Sequence, residues 1–357
     1  MATRLTLDSY RLLGRSGLRV SPISLGTMTF GTDWGWGADR DDARRIFDTY
    51  VDRGGNFIDS ANQYTNGTAE TFVGEFAREK RERLVIATKY TMSTRRGDPN
   101  SGGNHRKSMV RSVEQSLSRL HTEYIDLLYL HAWDFTTSVD EIMRAFDDLV
   151  SAGKILYAGI SDAPAWQIAR MQTLADVRGW APLVALQIEY SLVQRTVERD
   201  LIPMARELGL GVIPWSPLAS GVLAGKYTLA DLEIGEGSAS AAGTRKDVAA
   251  GNGSLTQRSL DIAEVVKSVA AELGSTPSKV AIAWTLSNGA VTAPIIGART
   301  LVQLEDNLGA LDLELPAAAR ARLEAASKIE LGFPHDFLQR PLTRGVMFGG
   351  AKIGARI

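Results

Sequence analysis

Eight short apolar runs recur along the chain, each bounded by polar or turn-forming residues: Ile23 to Thr27, Asn56 to Asp59, Leu84 to Lys89, Ile125 to His131, Ile155 to Ser161, Leu183 to Tyr190, Gly211 to Ser216 and Val291 to Gly297. Runs of this length read as strands, and near-continuous ones such as IDLLYL predict burial on both faces. Between them the apolar residues change to helical spacing, over Arg40 to Arg53, Glu70 to Lys80, Lys107 to Leu120, Val139 to Ala152, Ala165 to Val177, Asp200 to Leu208 and Pro277 to Asn288. Leu301 to Leu308 supplies an eighth helix. Strands alternating with helices predict a parallel sheet, and eight such units predict its closure into an α/β (β/α)8, or TIM, barrel.

Several segments fall outside this alternation. Residues 10–21 pair two short runs around the Gly14-Arg15-Ser16-Gly17 turn and predict an N-terminal β-hairpin that caps the barrel. Gln257 to Glu272 and Pro316 to Lys328 predict two extra helices. Residues 225–256 form a loop after the seventh strand, with a Gly-, Ala- and Ser-rich stretch from Asp231 to Gly253. No shift of composition divides residues 1–330, which are expected to be one domain, with 331–357 as a tail near the barrel mouth.

Composition narrows the chemistry. Among 357 residues, 44% are apolar and 23% charged, and the formal charge of -1 provides no electrostatic basis for nucleic-acid binding. The absence of cysteine removes disulfides, thiolate catalysis and thiolate metal ligands, and the four histidines are too dispersed for an HExxH-type site, so no metal is expected. With neither a secretory signal nor an apolar run of membrane-spanning length, a cytoplasmic location away from membranes is expected. A homo-oligomer is compatible with all of this.

Four polar residues stand at or just beyond strand ends: Asp59, Tyr64, Lys89 and His131. Each alone has a structural explanation, as a helix cap, a packed ring, a snorkelling amine or a hydrogen-bonded imidazole. Together they would converge at the mouth of a parallel barrel, where the active sites of such barrels lie. A phenol with an ordinary pKa of about 10 is a poor acid at neutral pH unless a nearby cation favours its phenolate. Lys89 could supply that cation, Asp59 could keep Lys89 charged, and His131 could orient a carbonyl oxygen. None of the four delivers hydride, so a reductase built on them needs an organic cofactor.

No GxGxxG or GxxxxGK[ST] segment follows a strand, which excludes the usual Rossmann and P-loop solutions. Two later segments are candidates. GVIPWSPLASGVLAGKY places Trp215 and the small residues Ser216, Ala219, Ser220 and Gly221 after strand seven, with Lys226 close behind, a set suited to a pyrophosphate. PIIGARTLVQLEDN places Gly297 and Arg299 just before a helix N-terminus, at the usual phosphate site of this barrel.

The run NFIDSANQYTNGTAETFVG, followed by the Lys89 and His131 strands and then by GISD, LQIEYSL, PWSPLASGVLAGKY and PIIGARTLVQLEDN, resembles the aldo-keto reductase family from the hairpin to about residue 330. Its GVLAGKY-type loop resembles the bacterial and potassium-channel β-subunit-like branches. The resemblance implies reduction of an aldehyde or ketone with NADPH, which becomes NADP+, by the tetrad Asp59, Tyr64, Lys89 and His131, with Tyr64 as general acid. It further implies that Trp215 stacks on the nicotinamide, that Ser161 and Gln187 hold its carboxamide, and that Gly26, Thr27 and Met28 line its pocket beside Asp59. Ser216, Leu218, Ser220, Gly221 and Lys226 would surround the pyrophosphate, and Gly297, Arg299, Gln303 and Asn307 the adenosine half. Asp162 stands where the family commonly has Asn, and Arg299 carries most of the preference for a 2′-phosphate.

Trp34, Trp36 and Trp133 predict aromatic walls for a small-molecule carbonyl substrate, contacted also by Tyr64 and His131, while His335, Arg340 and Arg344 in the tail could meet an anionic group. The main alternative is an NADPH-sensing regulatory subunit resembling channel β-subunits. A Schiff-base lyase or isomerase using Lys89 is a third reading, which the cofactor segments disfavour.

Overall fold

Inward and outward side chains alternate along each strand, and this sets the architecture. The computed structural model describes residues 5–232 and 245–353. Its barrel strands are β1 (Ser24–Gly26), β2 (Phe57–Asp59), β3 (Val85–Tyr90), β4 (Ile125–Leu130), β5 (Ile155–Ser161), β6 (Leu183–Glu189), β7 (Gly211–Trp215) and β8 (Ile295–Ile296). They form one eight-stranded sheet in the order β8-β1-β2-β3-β4-β5-β6-β7 with parallel pairing throughout. Between β7 and β8 the seam is closed by a parallel bridge from Val212 to Val291 and by the Thr292 N–H donating to the Val212 carbonyl. This is the (β/α)8 barrel expected from the alternating pattern.

The interior holds Phe57, Val85, Ala87, Leu127, Tyr129, Val184, Ala185, Ile213, Ala293 and Ile295. Tyr129 fits because its neighbour is Gly159, where a Cβ would sit 2.6 Å from the tyrosine ring. A larger apolar layer lies outside, between strands and helices. The connecting helices are α1 (Arg40–Asp52), α2 (Thr68–Ala77), α3 (Arg106–Leu120), α4 (Val139–Ser151), α5 (Ala165–Arg178) and α6 (Leu201–Leu208). In α4 the positions Ile142, Met143, Phe146 and Leu149 are buried, the stripe a 3.6-residue period presents to a sheet. The side chains of Asp39, Ser138, Thr256, Thr276 and Thr300 each accept a backbone N–H from the helix that follows, satisfying one of its unpaired donors.

The hairpin strands, Arg11–Leu12 and Arg19–Val20, pair antiparallel and send Leu13 and Val20 into the base of the barrel. Arg11 donates to the carbonyls of Val291 and Thr292, and the Arg15 N–H to that of Gly209. The base is therefore plugged, and ligands must use the opposite end.

Three expectations change. The last strand shrinks from Val291–Gly297 to two residues, because Pro294 has no N–H for a ladder and contributes its carbonyl to Ser24 instead. The expected 225–256 loop contains a 3-10 turn at Leu229–Asp231 and a helix at Arg245–Gly251, while its residues 233–244 lie outside the described residues. Besides the two extra helices expected, which appear as Gln257–Glu272 and Ala317–Ser327, the tail forms helices His335–Gln339 and Pro341–Phe348. Both tail helices are short and largely exposed, so they present no buried stripe for a periodicity argument to detect.

Gly14 tests the plug. It has a φ of +55°, and a Cβ there would lie 2.3 Å from the Val184 carbonyl oxygen. Gly14→Ala should lower unfolding stability by about 2 kcal/mol or more, whereas Gly17→Ala, with nothing within 4 Å, should change it by under about 1 kcal/mol. Urea denaturation of both variants checks this; equal midpoints would show that the hairpin does not brace the barrel base.

Candidate active site

The same alternation that fills the barrel interior carries polar residues to its mouth. Phe57 points inward, so Asp59 follows on the same face; Val85 and Ala87 are followed by Lys89, Leu127 and Tyr129 by His131, Ala185 by Gln187, and Ile213 by Trp215. Residues from six strands or strand ends thus share one rim once Ser161 on β5 is included.

Lys89 is the hub. Fully buried, it donates from Nζ to Asp59 Oδ2 at 2.6 Å, to the Ser60 carbonyl at 2.7 Å and to the Tyr64 hydroxyl at 3.1 Å. All three ammonium protons have acceptors. The other Asp59 oxygen accepts from Gln187 Nε2 at 2.8 Å. Burial opposes the charge on Lys89, but Asp59 and Tyr64 outweigh it and leave the amine's pKa above its ordinary value. It remains an ammonium at physiological pH.

Tyr64 reaches this hub through strained backbone. Thr65, Asn66 and Gly67 have φ of 45°, 56° and 99°, and positive φ is rare for a β-branched residue such as Thr65. The Thr65 hydroxyl holds the turn by donating to the Phe30 carbonyl at 2.7 Å and accepting the Ala69 N–H at 3.0 Å. Burial raises the Tyr64 pKa, and Lys89 pulls it down without reversing the net upward shift. This corrects the expectation that Lys89 leaves the phenol a stronger acid than usual. Tyr64 therefore keeps its proton at physiological pH.

His131 follows β4, its ring 6.0 Å from that of Tyr64 and nearly perpendicular to it. Burial and the Lys89 charge push its pKa down to about 3, so the imidazole is neutral and carries one N–H. Trp34 packs edge-on to Tyr64 with centroids 6.5 Å apart, and Trp36 lies behind Trp34 at 5.8 Å. Trp133 is buried and its backbone N–H donates to the Asp162 carbonyl. Trp34 thus borders Tyr64, and Trp133 borders Asp162.

A nicotinamide fits the opposite side of the mouth. Ser161 Oγ is buried with the Asp162 carboxylate beside it, and a ligand amide could take up its remaining hydrogen-bonding capacity. Trp215 Nε1 donates to Asp162 Oδ1 at 3.1 Å, which fixes the plane of the indole. Thr27 is buried, with its N–H and hydroxyl both donating to the Asp59 carbonyl, and Met28 is half-buried beside it. Gly26 has a packing reason of its own: a Cβ would meet Ile295 Cγ2 at 2.6 Å.

The loop after β7 is a self-braced coil. Positive φ occurs at Ser216, Ala219, Ser220 and Gly221, and the N–H groups of Ala219, Ser220 and Gly221 bond within the loop to Ser216 and Leu218. Asn252, which sequence reasoning did not single out, donates to Ser220 Oγ at 3.2 Å. The exposed Lys226 lies across Gly221, with its stem 3.8 Å from the place of a Cβ. Farther round, Gln303 accepts the Arg299 N–H at 2.9 Å and Asn307 donates to the Gly297 carbonyl, so both hold the loop that presents Arg299. Thr29, donating to the Ala298 carbonyl, joins this loop to the Gly26–Met28 segment.

The tail side chains are engaged elsewhere. His335 pairs with Asp200 at 3.2 Å, Arg340 covers Phe337 and Arg344 covers Phe348. A groove of ≈ 360 Å³ beside the mouth, lined in part by Trp133, Asp162, Glu189 and Trp215, was also not expected. Glu189 could have been found by continuing the inward series Ala185 and Gln187 by two residues. Its carboxyl is pushed up to about 7 by burial and then by the charge of Asp162.

Fold and site together define a TIM barrel with a buried Asp59–Lys89–Tyr64 hub at its mouth. Comparison with known proteins agrees. The pattern described as "Aldo/keto reductase family" matches residues 22–328. Norsolorinic acid reductase of Aspergillus flavus is 37% identical over 343 residues, covering 93% of this chain and 84% of its own length. An aryl-alcohol dehydrogenase [NADP(+)] of Phanerodontia chrysosporium is 35% identical over 334 residues, covering 89% and 86%. The chain belongs to the aldo/keto reductase family and is an oxidoreductase.

The buried pair at the hub has a measurable signature. Asp59→Asn leaves the Lys89 charge without its counter-ion and should lower stability by about 3 kcal/mol, while adding Lys89→Met should recover part of that loss. A double-mutant cycle by urea denaturation reads the coupling; additive losses would mean that the two groups do not form an interacting pair in solution.

Proposed function

We propose that the protein reduces an aromatic aldehyde or ketone to the alcohol with NADPH, Tyr64 donating the proton. The observation that carries this reading is Lys89 Nζ, held 2.6 Å from Asp59 and 3.1 Å from the Tyr64 hydroxyl in a buried hub. The cofactor, when bound, supplies a hydride to the carbonyl carbon. The neutral His131 N–H orients the carbonyl oxygen, Tyr64 gives its proton to that oxygen, and Lys89 holds the phenolate charge left behind. Ser161, Gln187 and Trp215 would seat the nicotinamide, with Gly26, Thr27 and Met28 at its edge. Ser216, Leu218, Ser220, Gly221 and Lys226 would face the pyrophosphate, and Gly297 and Arg299 the adenosine phosphate, braced by Gln303 and Asn307.

Two lines support an aromatic substrate: the walls made by Trp34 and Trp133, and the names of the two relatives, which concern an aryl alcohol and norsolorinic acid. Arg299 beside a helix N-terminus supports the phosphorylated dinucleotide, as does the NADP(+) in the name of the second relative. The GVLAGKY loop is what the chain shares with channel β-subunit-like proteins. The connected chain from Asp59 through Lys89 to Tyr64 favours turnover over a purely sensing role.

Tyr64→Phe should lower kcat for an aryl aldehyde by about 1,000-fold, within the range of a general-acid contribution, while the Kd for NADPH changes by less than about threefold. Stopped-flow absorbance and calorimetric titration measure the two quantities. Full activity of the variant would remove Tyr64 from the mechanism, and tight NADPH binding with no turnover of any aldehyde by the wild type would favour the sensing reading.

A further inference from the structure

Asp162 is held in an unusual way. It is a non-glycine residue with φ of +42°, directly after the buried Ser161 at the end of β5. Its N–H donates to the Gln187 carbonyl at 3.4 Å, its carbonyl accepts from the Trp133 N–H at 3.2 Å, and its Oδ1 accepts from Trp215 Nε1 at 3.1 Å. Three neighbouring strand ends thus pin it, yet the residue remains exposed to the groove at the mouth. Strain of this kind persists only where the surroundings over-determine it.

The consequence concerns charge. Lys89 and Asp59 neutralise each other at 2.6 Å, Tyr64 keeps its proton and His131 is neutral. Of the titratable groups facing Asp162, only Glu189 remains, and it adds negative charge when ionised. The described mouth therefore carries, beside the Trp215 indole, a carboxylate with no salt-bridge partner among the described residues, which Lys89 influences only through space. An oxidised nicotinamide ring bears a positive charge and a reduced ring none, while the rest of the dinucleotide is the same in both.

We propose that the Asp162 carboxylate makes this site bind the oxidised nicotinamide cofactor more tightly, relative to the reduced one, than an amide at the same position would. Asp162 is a positioning and selectivity residue that shifts the balance between the two cofactor forms toward NADP+. The inference rests on the reading of Ser161, Gln187 and Trp215 as the nicotinamide pocket. Crowding by the protein raises the Asp162 carboxyl to about 6, so the preference is complete well above that pH and fades below it as the carboxylate is protonated.

Calorimetric titration of the whole protein with NADP+ and with NADPH, separately, tests this. At pH 8.5, Asp162→Asn keeps an acceptor for Trp215 Nε1 and should weaken NADP+ about tenfold relative to NADPH, the size of a screened charge interaction across several ångströms. The wild type taken to pH 5 should move the same way without any substitution, and Glu189→Gln, measured alongside, separates the contribution of Glu189 to that drift. An equal weakening of both forms in the Asn variant, or an unchanged ratio, would overturn the proposal and leave the cofactor reading intact. If the wild type binds neither form, the cofactor reading falls and the proposal with it.

Discussion

The site depends on one desolvated ammonium. Lys89 is wholly buried, and a lone charge in that position would be costly enough to lose its proton. It keeps the proton because Asp59, the Ser60 carbonyl and the Tyr64 hydroxyl accept all three of its N–H groups. That requirement reaches outward. Asp59 must be aimed, so Gln187 holds its second oxygen; Tyr64 must approach, so the chain accepts positive φ at Thr65 and Asn66. The interior layer below, from Phe57 to Ile213, supplies the dry floor that makes each of these bonds matter.

Much of this was legible because a strand has a period of two. Asp59, Lys89, His131, Gln187 and Trp215 all continue an inward-facing apolar series, so one barrel with one mouth brings them together. For Asp59, Lys89 and His131 the sequence shows a polar residue ending an apolar run, whereas Gln187, inside LVALQIEY, is legible only through the family resemblance. Helix placement was legible for a similar reason, since stripes such as that of α4 must cover the sheet.

What escaped has no period. Strand β8 is short because of a single proline at its start, and its closing bridge to β7 is one hydrogen-bonded step rather than a pattern. The bracing of Ser220 by Asn252 and of Arg299 by Gln303 joins loop residues whose neighbours depend on loop shape. The net upward shift of the Tyr64 pKa was also invisible, because it is set by the degree of burial and opposes the cation that sequence reasoning had emphasised. The tail illustrates the same limit: Phe337 and Phe348 each have one of its own arginines over the ring, an arrangement that spacing alone does not reveal.

The rim holds two carboxylates in different settings. The Lys89 ammonium is bonded to Asp59, the Ser60 carbonyl and Tyr64, and its charge also reaches His131, whose pKa it lowers, and Asp162, whose ionised form it favours. Asp162 directly follows β5 and is bonded to the indole of Trp215 rather than to the hub. Asp59 is thereby committed to the buried ammonium beside Tyr64, whereas Asp162 meets the indole of Trp215, so the two carboxylates of the rim hold different partners.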